Sequence, residues 1–422
     1  MKIAIWGEGL TAWVTAGALA ETGNDIYLVN GSTIKDPVTL MGSSISNEPG
    51  LRDLVCSQFE KKRIRFAQTR TALGIQAHIL SMNPVEFEAA HDLVSRLATK
   101  AEGPLLIINQ SHFGLGSTEK LQALLNPRKK QYIAYFAENI SEGEALERMR
   151  YPRSIILGCE YPEAVLSIRS LFRPFGTRLE NTFVMRTREA EFAKLSIIGM
   201  LALRIGYINE LANLGDQIGV DIDEIRHAMG ADPRIGRHHL SPGCGFGGNT
   251  FPQTLNSLAQ LLSRRSESTL MQTVMRQNEK QKELPFRKLW THFHADIHGR
   301  KFAIWGASFK PGTASIDSAP SLKTIEAIIA QEAEVRIHDP EANENIHQVY
   351  HDNPQVKTIS GKYDALKNVD AMLLLTEWPE YWSPDFEVMK KQMKTPVIVD
   401  GRNVYNRQQI ESLGFTYYSI GR

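Results

Sequence analysis

A glycine-rich turn near the amino terminus has the residue types that hold the pyrophosphate of a dinucleotide. Residues 7–12 follow a short apolar run and match the pattern G-x-G-x-x-[G/A]. Gly7 permits the tight turn, Gly9 lets the backbone approach a pyrophosphate, and Ala12 allows close packing of helix on strand. The pyrophosphate would lie at the positive N-terminus of the helix that begins at Leu10. The pattern predicts a dinucleotide site; the alternative is a glycine turn that has lost its ligand.

The residue that ends the second predicted strand bears on the choice between NAD and NADP. An NAD-binding domain usually has Asp or Glu here to hold the ribose hydroxyls, but this chain has Asn30, followed by a short polar segment with Lys35. An amide can hydrogen-bond a ribose without repelling a 2′-phosphate, which hydroxyls and a lysine could bind. We therefore expect NAD, with NADP left open.

The cysteine and histidine side chains are not spaced as in a disulfide framework or a metal site. Cys56, Cys159 and Cys244 are far apart and odd in number, which argues against a disulfide framework. The twelve histidines offer no metal-binding spacing, and the adjacent His238 and His239 would point apart on any regular element. We expect no metal site.

Length and composition place the chain among ordinary globular proteins. At 422 residues, with 42% hydrophobic and 23% charged residues, it exceeds what one core usually serves, so two or three domains are expected. The net charge of +1 gives no reason to expect nucleic acid or an anionic membrane as a partner. No apolar run approaches the roughly 20 residues that span a bilayer, and no signal peptide is recognisable. A cytoplasmic protein is expected.

An internal echo, which is one short sequence pattern that occurs in both halves of the chain, indicates how these residues are positioned. Residues 2–7 read KIAIWG and residues 301–306 read KFAIWG, and each run is followed by a second apolar strand, at 25–30 and 334–339. Strand, glycine turn, helix and strand form the βαβ opening of a doubly wound sheet. The echo predicts two Rossmann-like domains.

The remaining apolar runs complete a prediction of the α/β class. Buried parallel strands are expected at 104–109, 132–136, 154–158, 371–376 and 396–400. Between the halves, residues 189–230 show helical apolar spacing without convincing strands. We therefore predict two Rossmann-like doubly wound domains joined by a long central helix that is buried against both domains or a second subunit.

Ordered segments along almost the whole chain carry a family resemblance. They are SNEPGL (46–51), NQSHFGLGST (109–118), AENISEG (137–143), AEFAK (190–194), NE (209–210), DPRIG (232–236), GCGFGG (243–248), FKP (309–311), TEW (376–378), DGRN (400–403) and IGR (420–422). In order and type they resemble the motifs of the UDP-glucose/GDP-mannose dehydrogenase family. That family uses a nicotinamide cofactor to oxidise a nucleotide sugar.

The resemblance implies a division of the chain. It implies an N-terminal dinucleotide-binding Rossmann domain at 1–185, a central helical and dimerisation domain at 186–285, and a C-terminal nucleotide-sugar-binding Rossmann-like domain at 286–422. A homodimer through the central helix is implied as well.

The resemblance also implies sites, residue by residue. Ser111 and Glu142 would join the glycine turn in binding the cofactor. The residues expected to bind the substrate are Arg234, Phe246, Gly247, Lys310 and Arg402. Arginine and lysine suit phosphate and sugar hydroxyls in charge and donor geometry.

The thiol that the family uses is missing. Family members trap an aldehyde on a cysteine in G-G-S-C-F-P-K-D, because a thiolate is a strong nucleophile near neutral pH. Here that cysteine position is Thr250, and the following lysine and aspartate positions are Gln253 and Thr254. The family's K-x-x-x-N pair on the central helix is reduced to Lys194, with Ile198 four residues later.

Two residues at catalytic positions of the family, Lys194 and Glu138, are retained in this sequence. Lys194 would face the reacting oxygen, and Glu138 lies where the family has the glutamate that assists general base work. Cys244 lies six residues before Thr250, but a small buried thiol is the commoner role for such a residue.

Three functions remain open. The first is a divergent NAD(P)-dependent dehydrogenase of the UDP-glucose 6-dehydrogenase type that makes one hydride transfer. The second is a catalytically impaired protein that binds nucleotide sugar and NAD in a regulatory or scaffold role. The third keeps full oxidation, with the second hydride taken from a hydrated aldehyde through water and Glu138. A place in polysaccharide biosynthesis follows only from the resemblance.

Overall fold

The chain forms two compact units. The computed structural model describes residues 1–29, 36–138, 140–175 and 181–422. Unit 1 comprises Met1–Ser196 and unit 2 comprises Ile197–Arg422. One long helix, Thr187–Ile218, runs through the boundary between them.

Within its described residues, unit 1 is built on an eight-stranded sheet in the order β3-β2-β1-β4-β5-β6-β7-β8. The strands are β1 (Lys2–Trp6), β2 (Asp25–Val29), β3 (Ile64–Phe66), β4 (Ala77–Leu80), β5 (Leu105–Asn109), β6 (Gln131–Ala137), β7 (Ile155–Gly158) and β8 (Thr182–Met185). Neighbours from β3 to β6 are parallel. The strand order reverses between β1 and β4, which is where a doubly wound sheet opens a crevice for a dinucleotide.

The helices of unit 1 cover this sheet. They are α1 (Leu10–Glu21), α2 (Pro37–Ser46), α3 (Leu51–Glu60), α4 (Thr69–Ala72), α5 (Phe87–Lys100), α6 (Ser117–Gln122), α7 (Ala145–Arg150) and α8 (Pro162–Phe172). Helix α1 has nine consecutive buried residues, Ala12 to Ala20. Its sequence is apolar and small on every side, which is typical of a helix buried all round.

One predicted strand runs in the opposite direction from the one expected. Residues 154–158 were expected to join a parallel strand, but β7 pairs antiparallel with β6, with Tyr135 opposite Gly158. A parallel neighbour needs a crossover that returns the chain to the starting edge of the sheet. The connection from β6 instead contains the short helix α7, which packs against α1, and β7 enters from the edge at which β6 ends.

Unit 2 repeats the parallel arrangement, with a sheet in the order β11-β10-β9-β12-β13-β14. Its strands are β9 (Lys301–Trp305), β10 (Glu334–His338), β11 (Val356–Thr358), β12 (Ala371–Leu374), β13 (Val397–Asp400) and β14 (Thr416–Tyr418). The echo is confirmed in detail: Lys2 pairs with Asp25 in unit 1, and Lys301 pairs with Glu334 in unit 2.

Helices complete the chain. They are α9 (Thr187–Ile218), α10 (Ile222–Ala231), α11 (Thr250–Ser266), α12 (Leu270–Lys282), α13 (Leu284–His292), α14 (Pro320–Ile329), α15 (Asn343–Tyr350), α16 (Lys362–Ala365), α17 (Phe386–Gln392) and α18 (Arg407–Ser412). The α/β class with two Rossmann-like sheets and a long central helix is confirmed.

Helix α9 corrects an expectation about apolar length. It has 32 residues, and its most apolar 18-residue window has a mean hydropathy of 1.4. By length and composition it is the one helix in the described residues that could cross a membrane, so the expectation that no run approaches that length is wrong. The core helix of a soluble protein meets the same criteria, so a single such helix is weak evidence.

Candidate functional site

The glycine turn of unit 1 fits a dinucleotide. Gly7 has a φ of 136°, and a Cβ added there would lie 2.0 Å from the carbonyl oxygen of Ser81, so only glycine fits. Gly9 is exposed at the N-cap of α1, with no side chain capping the helix. A Cβ at Gly9 would meet nothing within 4 Å, so the backbone here is open to a ligand. The amides of Gly9, which is exposed, and Leu10, which is half-buried, are donors of the kind that hold a pyrophosphate.

The strand ends beside this turn are tied together by hydrogen bonds. The hydroxyls of Thr15 and Ser81 donate to Gln110 Oε1 over 3.1 and 2.8 Å. The hydroxyl of Ser111 accepts from the amide of Met82 over 2.8 Å. Ser111, expected to bind the cofactor, is thereby fixed at the ends of β4 and β5. Asn30, expected at the ribose, lies outside the described residues.

A buried polar cluster lies at the ends of β5 and β6. His112 Nε2 is 2.7 Å from Glu138 Oε1, and Lys194 Nζ is 3.8 Å from the same oxygen. The ammonium group of Lys194 also donates to the main-chain carbonyl of Glu138. The amide of Ile140 donates to Glu138 Oε2 over 2.6 Å. The three side chains of the cluster, His112, Glu138 and Lys194, are 12%, 6% and 8% exposed.

Helix α9 holds both sides of this cluster. Lys194 binds the residue after β6, and one turn earlier Glu191 accepts from the amides of Gly116 and Thr118 and from the hydroxyl of Ser117. These contacts fix the loop that carries His112. The AEFAK segment thus positions two loops at once, because residues three apart share a helix face.

The electrostatics of the cluster keep Glu138 ionised. Burial alone would raise the pKa of Glu138, but the Lys194 ammonium, the hydrogen bond from His112 and the amide of Ile140 together lower it from 4.5 to about 2. A carboxylate that is this stable in its charged form is a weak base. Glu138 can orient its neighbours more readily than it can accept a proton.

His112 is the functional candidate that sequence reasoning missed. His112 lies within the 109–118 segment that carries part of the family resemblance, but the sequence assigned no role to it. The carboxyl ends of adjacent parallel strands lie side by side, and β5 and β6 are adjacent. A histidine shortly after β5 and a glutamate directly after β6 could therefore have been paired from the predicted strands alone.

Another buried carboxylate organises the loop after β6. Glu48 accepts from the amides of Gly143 and Ala145 over 2.6 and 2.7 Å. The EPGL segment therefore anchors the loop in which Glu142, expected to bind the cofactor, lies half-buried.

In unit 2, a second candidate site is built on the glycine loop at 243–248. Asn209 accepts from the amide of Gly243 over 2.9 Å, and Gln281 donates to its carbonyl over 2.8 Å. Asn278 accepts from the amide of Phe246 over 2.9 Å and donates to its carbonyl over 3.0 Å. Three amide side chains thus fix the loop, and two of them, Asn278 and Gln281, were not predicted.

The end of this loop is closely packed. A Cβ added to Gly247 would lie 2.6 Å from the carbonyl oxygen of Ser318, and the amide of Gly248 donates to Asp317 over 2.7 Å. The ring of Phe246 meets that of Phe251 edge-on at 5.1 Å. Glycine is needed here for close approach of the chain.

Arg402 joins the parts of this second site. Its guanidinium donates to the carbonyl of Leu375 over 2.7 Å and lies 3.2 Å from Glu377 Oε2. Weaker contacts reach the carbonyls of Gly245 at 3.4 Å and Phe309 at 3.3 Å. Arg402 lies in the same unit as the loop at 243–248 and is brought to it.

The two remaining predicted residues of unit 2, Lys310 and Arg234, have contacts with residues close to them in the sequence. Lys310 Nζ lies 5.8 Å from the centre of the Phe309 ring. Arg234 has an 87% exposed side chain and pairs with Asp232 at 2.6 Å. The resemblance also implies that Arg234 reaches across a dimer to the sugar; this concerns a contact outside a single chain and stays a prediction.

The resemblance places the family's cysteine position at the start of α11. Thr250 is the first residue of that helix and is exposed, whereas Thr254 is buried. Cys244 is fully buried, and burial raises the pKa of its thiol. A thiol with a raised pKa is a poor nucleophile, which agrees with a structural role for Cys244.

Comparison with known proteins gives matches along the whole chain. Residues 1–176 match the NAD binding domain of the UDP-glucose/GDP-mannose dehydrogenase family, residues 188–280 its central domain, and residues 303–407 its UDP binding domain. A UDP-glucose 6-dehydrogenase from Pseudomonas aeruginosa is 32% identical over 100% of this chain and 98% of its own. One from Rhizobium meliloti is 28% identical, with 100% of each chain covered.

Solved structures share the fold. A UDP-glucose dehydrogenase from Pyrobaculum islandicum superposes with a TM-score of 0.85 at 23% identity, covering 100% of this chain and 97% of that one. A UDP-D-ManNAc dehydrogenase from Pyrococcus horikoshii gives 0.83 at 23% identity, covering 100% and 99%. At this identity the likeness shows the fold alone.

Proposed function

This chain belongs to the UDP-glucose/GDP-mannose dehydrogenase family, with NAD as its cofactor, and we propose that it oxidises a nucleotide sugar by a single hydride transfer. When bound, NAD accepts a hydride from the substrate carbon. The product is then an aldehyde or ketone. Thr250 replaces the family's cysteine, and a hydroxyl is a weak nucleophile near neutral pH, so the covalent route to an acid is unsupported.

The observation that carries this proposal is the buried cluster of His112, Glu138 and Lys194. Burying charged groups is costly unless they are paired and hydrogen-bonded, and a protein that only binds ligands has no need of such a cluster beside its dinucleotide turn. The cluster offers charge and hydrogen-bonding groups of the kind that a reacting alcohol needs, at the ends of β5 and β6. Catalysis on one alcohol therefore accounts for it better than binding alone.

The end-point yield of NADH from purified protein tests the proposal. UDP-glucose and a panel of UDP- and GDP-sugars would be incubated with excess NAD. One NADH per substrate is expected. Two would mean that full oxidation proceeds without the thiol, with the second hydride taken from the hydrate that forms when water adds to the aldehyde.

A second candidate is a catalytically impaired protein that binds NAD and nucleotide sugar in a regulatory or scaffold role. It is favoured by the joint replacement at Thr250, Thr254 and Ile198, while the backbone turns at Gly7 and Gly247 stay closely packed. Saturable binding of both ligands, with no NADH from any sugar of the panel, would favour this candidate over the first.

The geometry of unit 2 supports an assignment of the substrate-binding residues. We assign nucleotide-sugar binding to Phe246, Gly247, Lys310 and Arg402, supported by the fixed loop and the buried guanidinium. Arg234 is assigned to the sugar bound by a second subunit, because its exposed side chain can reach beyond its own chain. Among the cofactor residues, Ser111 and Glu142 lie beside the dinucleotide turn and in the loop after β6.

A homodimer through α9 is part of the proposal. Met200, Tyr207 and Leu214 recur every seven residues and are 57%, 58% and 49% exposed. Apolar side chains at this spacing form a seam that a second helix can cover. Sedimentation equilibrium should give a dimer, and Tyr207→Arg should give a monomer.

Three further assignments stay proposals. The division into domains at 1–185, 186–285 and 286–422 is supported by the three matched ranges. A cytoplasmic location is proposed from the composition, and a role in polysaccharide precursor supply is proposed from the family resemblance. The discrimination against NADP is tested by measuring both affinities; NAD should bind at least ten times more tightly.

A further inference from the structure

We propose that His112, oriented by Glu138, is the group that accepts the hydroxyl proton of the substrate. This inference rests on the proposed single hydride transfer and names its proton acceptor. The carbon–hydrogen bond breaks with its electron pair, which passes to NAD as hydride. The oxygen–hydrogen bond breaks as well, its electrons form the carbonyl bond, and the proton moves to His112 Nδ1. Atoms and charge balance with NAD as the oxidant.

The hydrogen bond to Glu138 decides which ring nitrogen carries the lone pair. A carboxylate can only accept hydrogen bonds, so the nitrogen 2.7 Å from Glu138 Oε1, Nε2, must carry the proton. In the neutral ring the lone pair is then on Nδ1. A ring held in this tautomer by a buried carboxylate is prepared to take a proton at the opposite nitrogen, and the imidazolium that forms would be stabilised by Glu138.

The other side chains of the cluster are poorly suited to the task. Glu138 has its pKa lowered by Lys194, His112 and Ile140 against the effect of burial, and both of its oxygens are engaged. Tyr135 donates weakly to Nδ1 from 3.4 Å, and burial raises the pKa of its hydroxyl far above the usual range. Lys194 is a donor to the Glu138 carbonyl. The groups that face His112 leave the imidazole as the base.

The position of His112 suits the cofactor. Its loop begins at Gln110 and Ser111, which are tied to Ser81 and Met82 behind the Gly7 turn. It also lies on the side of the β1–β4 crevice formed by β4, β5 and β6. A dinucleotide bound by its pyrophosphate at β1 extends across this crevice. The reacting end of the cofactor and the proton acceptor can therefore meet at one substrate carbon.

The test compares His112→Gln, His112→Ala and Glu138→Gln with a control, His91→Gln, whose side chain is 39% exposed on α5. The glutamine at 112 keeps a donor for Glu138 but cannot accept a proton. We expect kcat to fall by about 10²–10⁴-fold in His112→Gln, with KM and the NAD dissociation constant within about threefold. Added imidazole should restore part of the rate in His112→Ala. His91→Gln should behave as the unchanged protein.

A second readout does not depend on turnover. Nitrogen chemical shifts of the His112 ring should show the proton on Nε2 and none on Nδ1 in the resting protein, and Glu138→Gln should weaken that preference. A ring that carries a proton on Nδ1 throughout the active pH range would overturn the proposal, because it could not accept another.

The outcomes separate the two proposals. If the unchanged protein forms NADH and His112→Gln keeps its kcat and pH profile, the assignment of His112 is wrong and the single transfer stands. If Glu138→Gln abolishes the alkaline-rising limb of the rate while His112→Gln does not, Glu138 is the base. If no sugar yields NADH, the single transfer fails and the assignment of its proton acceptor fails with it.

Discussion

Replacing Lys194 with methionine tests the electrostatic account of the buried cluster. The substitution keeps most of the length of the side chain and removes its charge. Glu138 would then be a buried carboxylate without its ammonium partner, which is 3.8 Å away. We expect a large loss in the free energy of unfolding near neutral pH, because an uncompensated charge would remain in a site that is closed to water.

The magnitude follows from the pKa of Glu138. Its net lowering from 4.5 to about 2, by Lys194, His112 and Ile140 against burial, corresponds to about 3–4 kcal/mol, at about 1.4 kcal/mol for each pKa unit. Removal of one partner from a buried ion pair costs about 3–5 kcal/mol in general, which agrees in size. Because the folded pKa is lowered, this stability is present above about 4.5 and is lost as the pH falls toward about 2.

Urea unfolding of three variants over a range of pH would measure it. Lys194→Met should lose several kcal/mol near neutral pH, and the loss should shrink as acid protonates Glu138. Lys194→Met with Glu138→Gln should be more stable than Lys194→Met alone. The control is Arg148→Met, which breaks a pair with Glu144 whose side chains are 51% and 57% exposed; it should cost less than about 1 kcal/mol. A Lys194→Met protein as stable as this control, at every pH, would refute the reasoning.

Three further predictions concern the two sites. Gly9→Ala should leave the fold intact, because a Cβ there meets nothing within 4 Å, but calorimetry should show NAD binding weakened at least tenfold. Gly7→Ala should weaken NAD binding and also lower the stability of the fold, because its Cβ would collide with Ser81 at 2.0 Å. Unchanged NAD affinity in Gly9→Ala would contradict the pyrophosphate assignment. Thr250→Cys alone should still form no acid by product analysis, because Ile198 cannot donate a hydrogen bond; robust acid formation would show that the neighbouring replacements matter little. Asn278→Leu should raise KM for the nucleotide sugar and lower stability by about 1–3 kcal/mol through two unsatisfied backbone groups, whereas an unchanged KM would show that the loop does not depend on this amide.

Much of the fold followed from local pattern. The runs KIAIWG and KFAIWG predicted two βαβ openings, and both are present with equivalent registers. Short apolar runs predict strands well when both faces of a sheet are buried. The direction of β7 was not predictable in this way, because a buried run looks the same in either orientation. The direction depends on where the connection through α7 packs.

The candidate sites likewise divide into residues that the sequence indicated and residues that it did not. Local spacing indicated Gly7 and Gly9, because their role depends on a turn, and the family resemblance indicated Lys194 and Glu138. The partners Asn278 and Gln281 could not be found this way, since each acts on a loop more than 30 residues away. A hydrogen bond between distant segments leaves no periodic signal in either one.

By itself, the sequence determined the α/β class, the dinucleotide turn, the family motifs and the absence of a cysteine at 250. These are properties of short segments. Steric and hydrogen-bonding rules within a turn or strand are sufficient to predict the class and the turn, and the resemblance supplies the family motifs and the meaning of position 250. Only the tertiary structure decided that Glu138 is held ionised and that His112 Nε2 faces it at 2.7 Å. Burial and distance between side chains control the pKa of a group, and both arise only when separate strands are brought to one edge of a sheet.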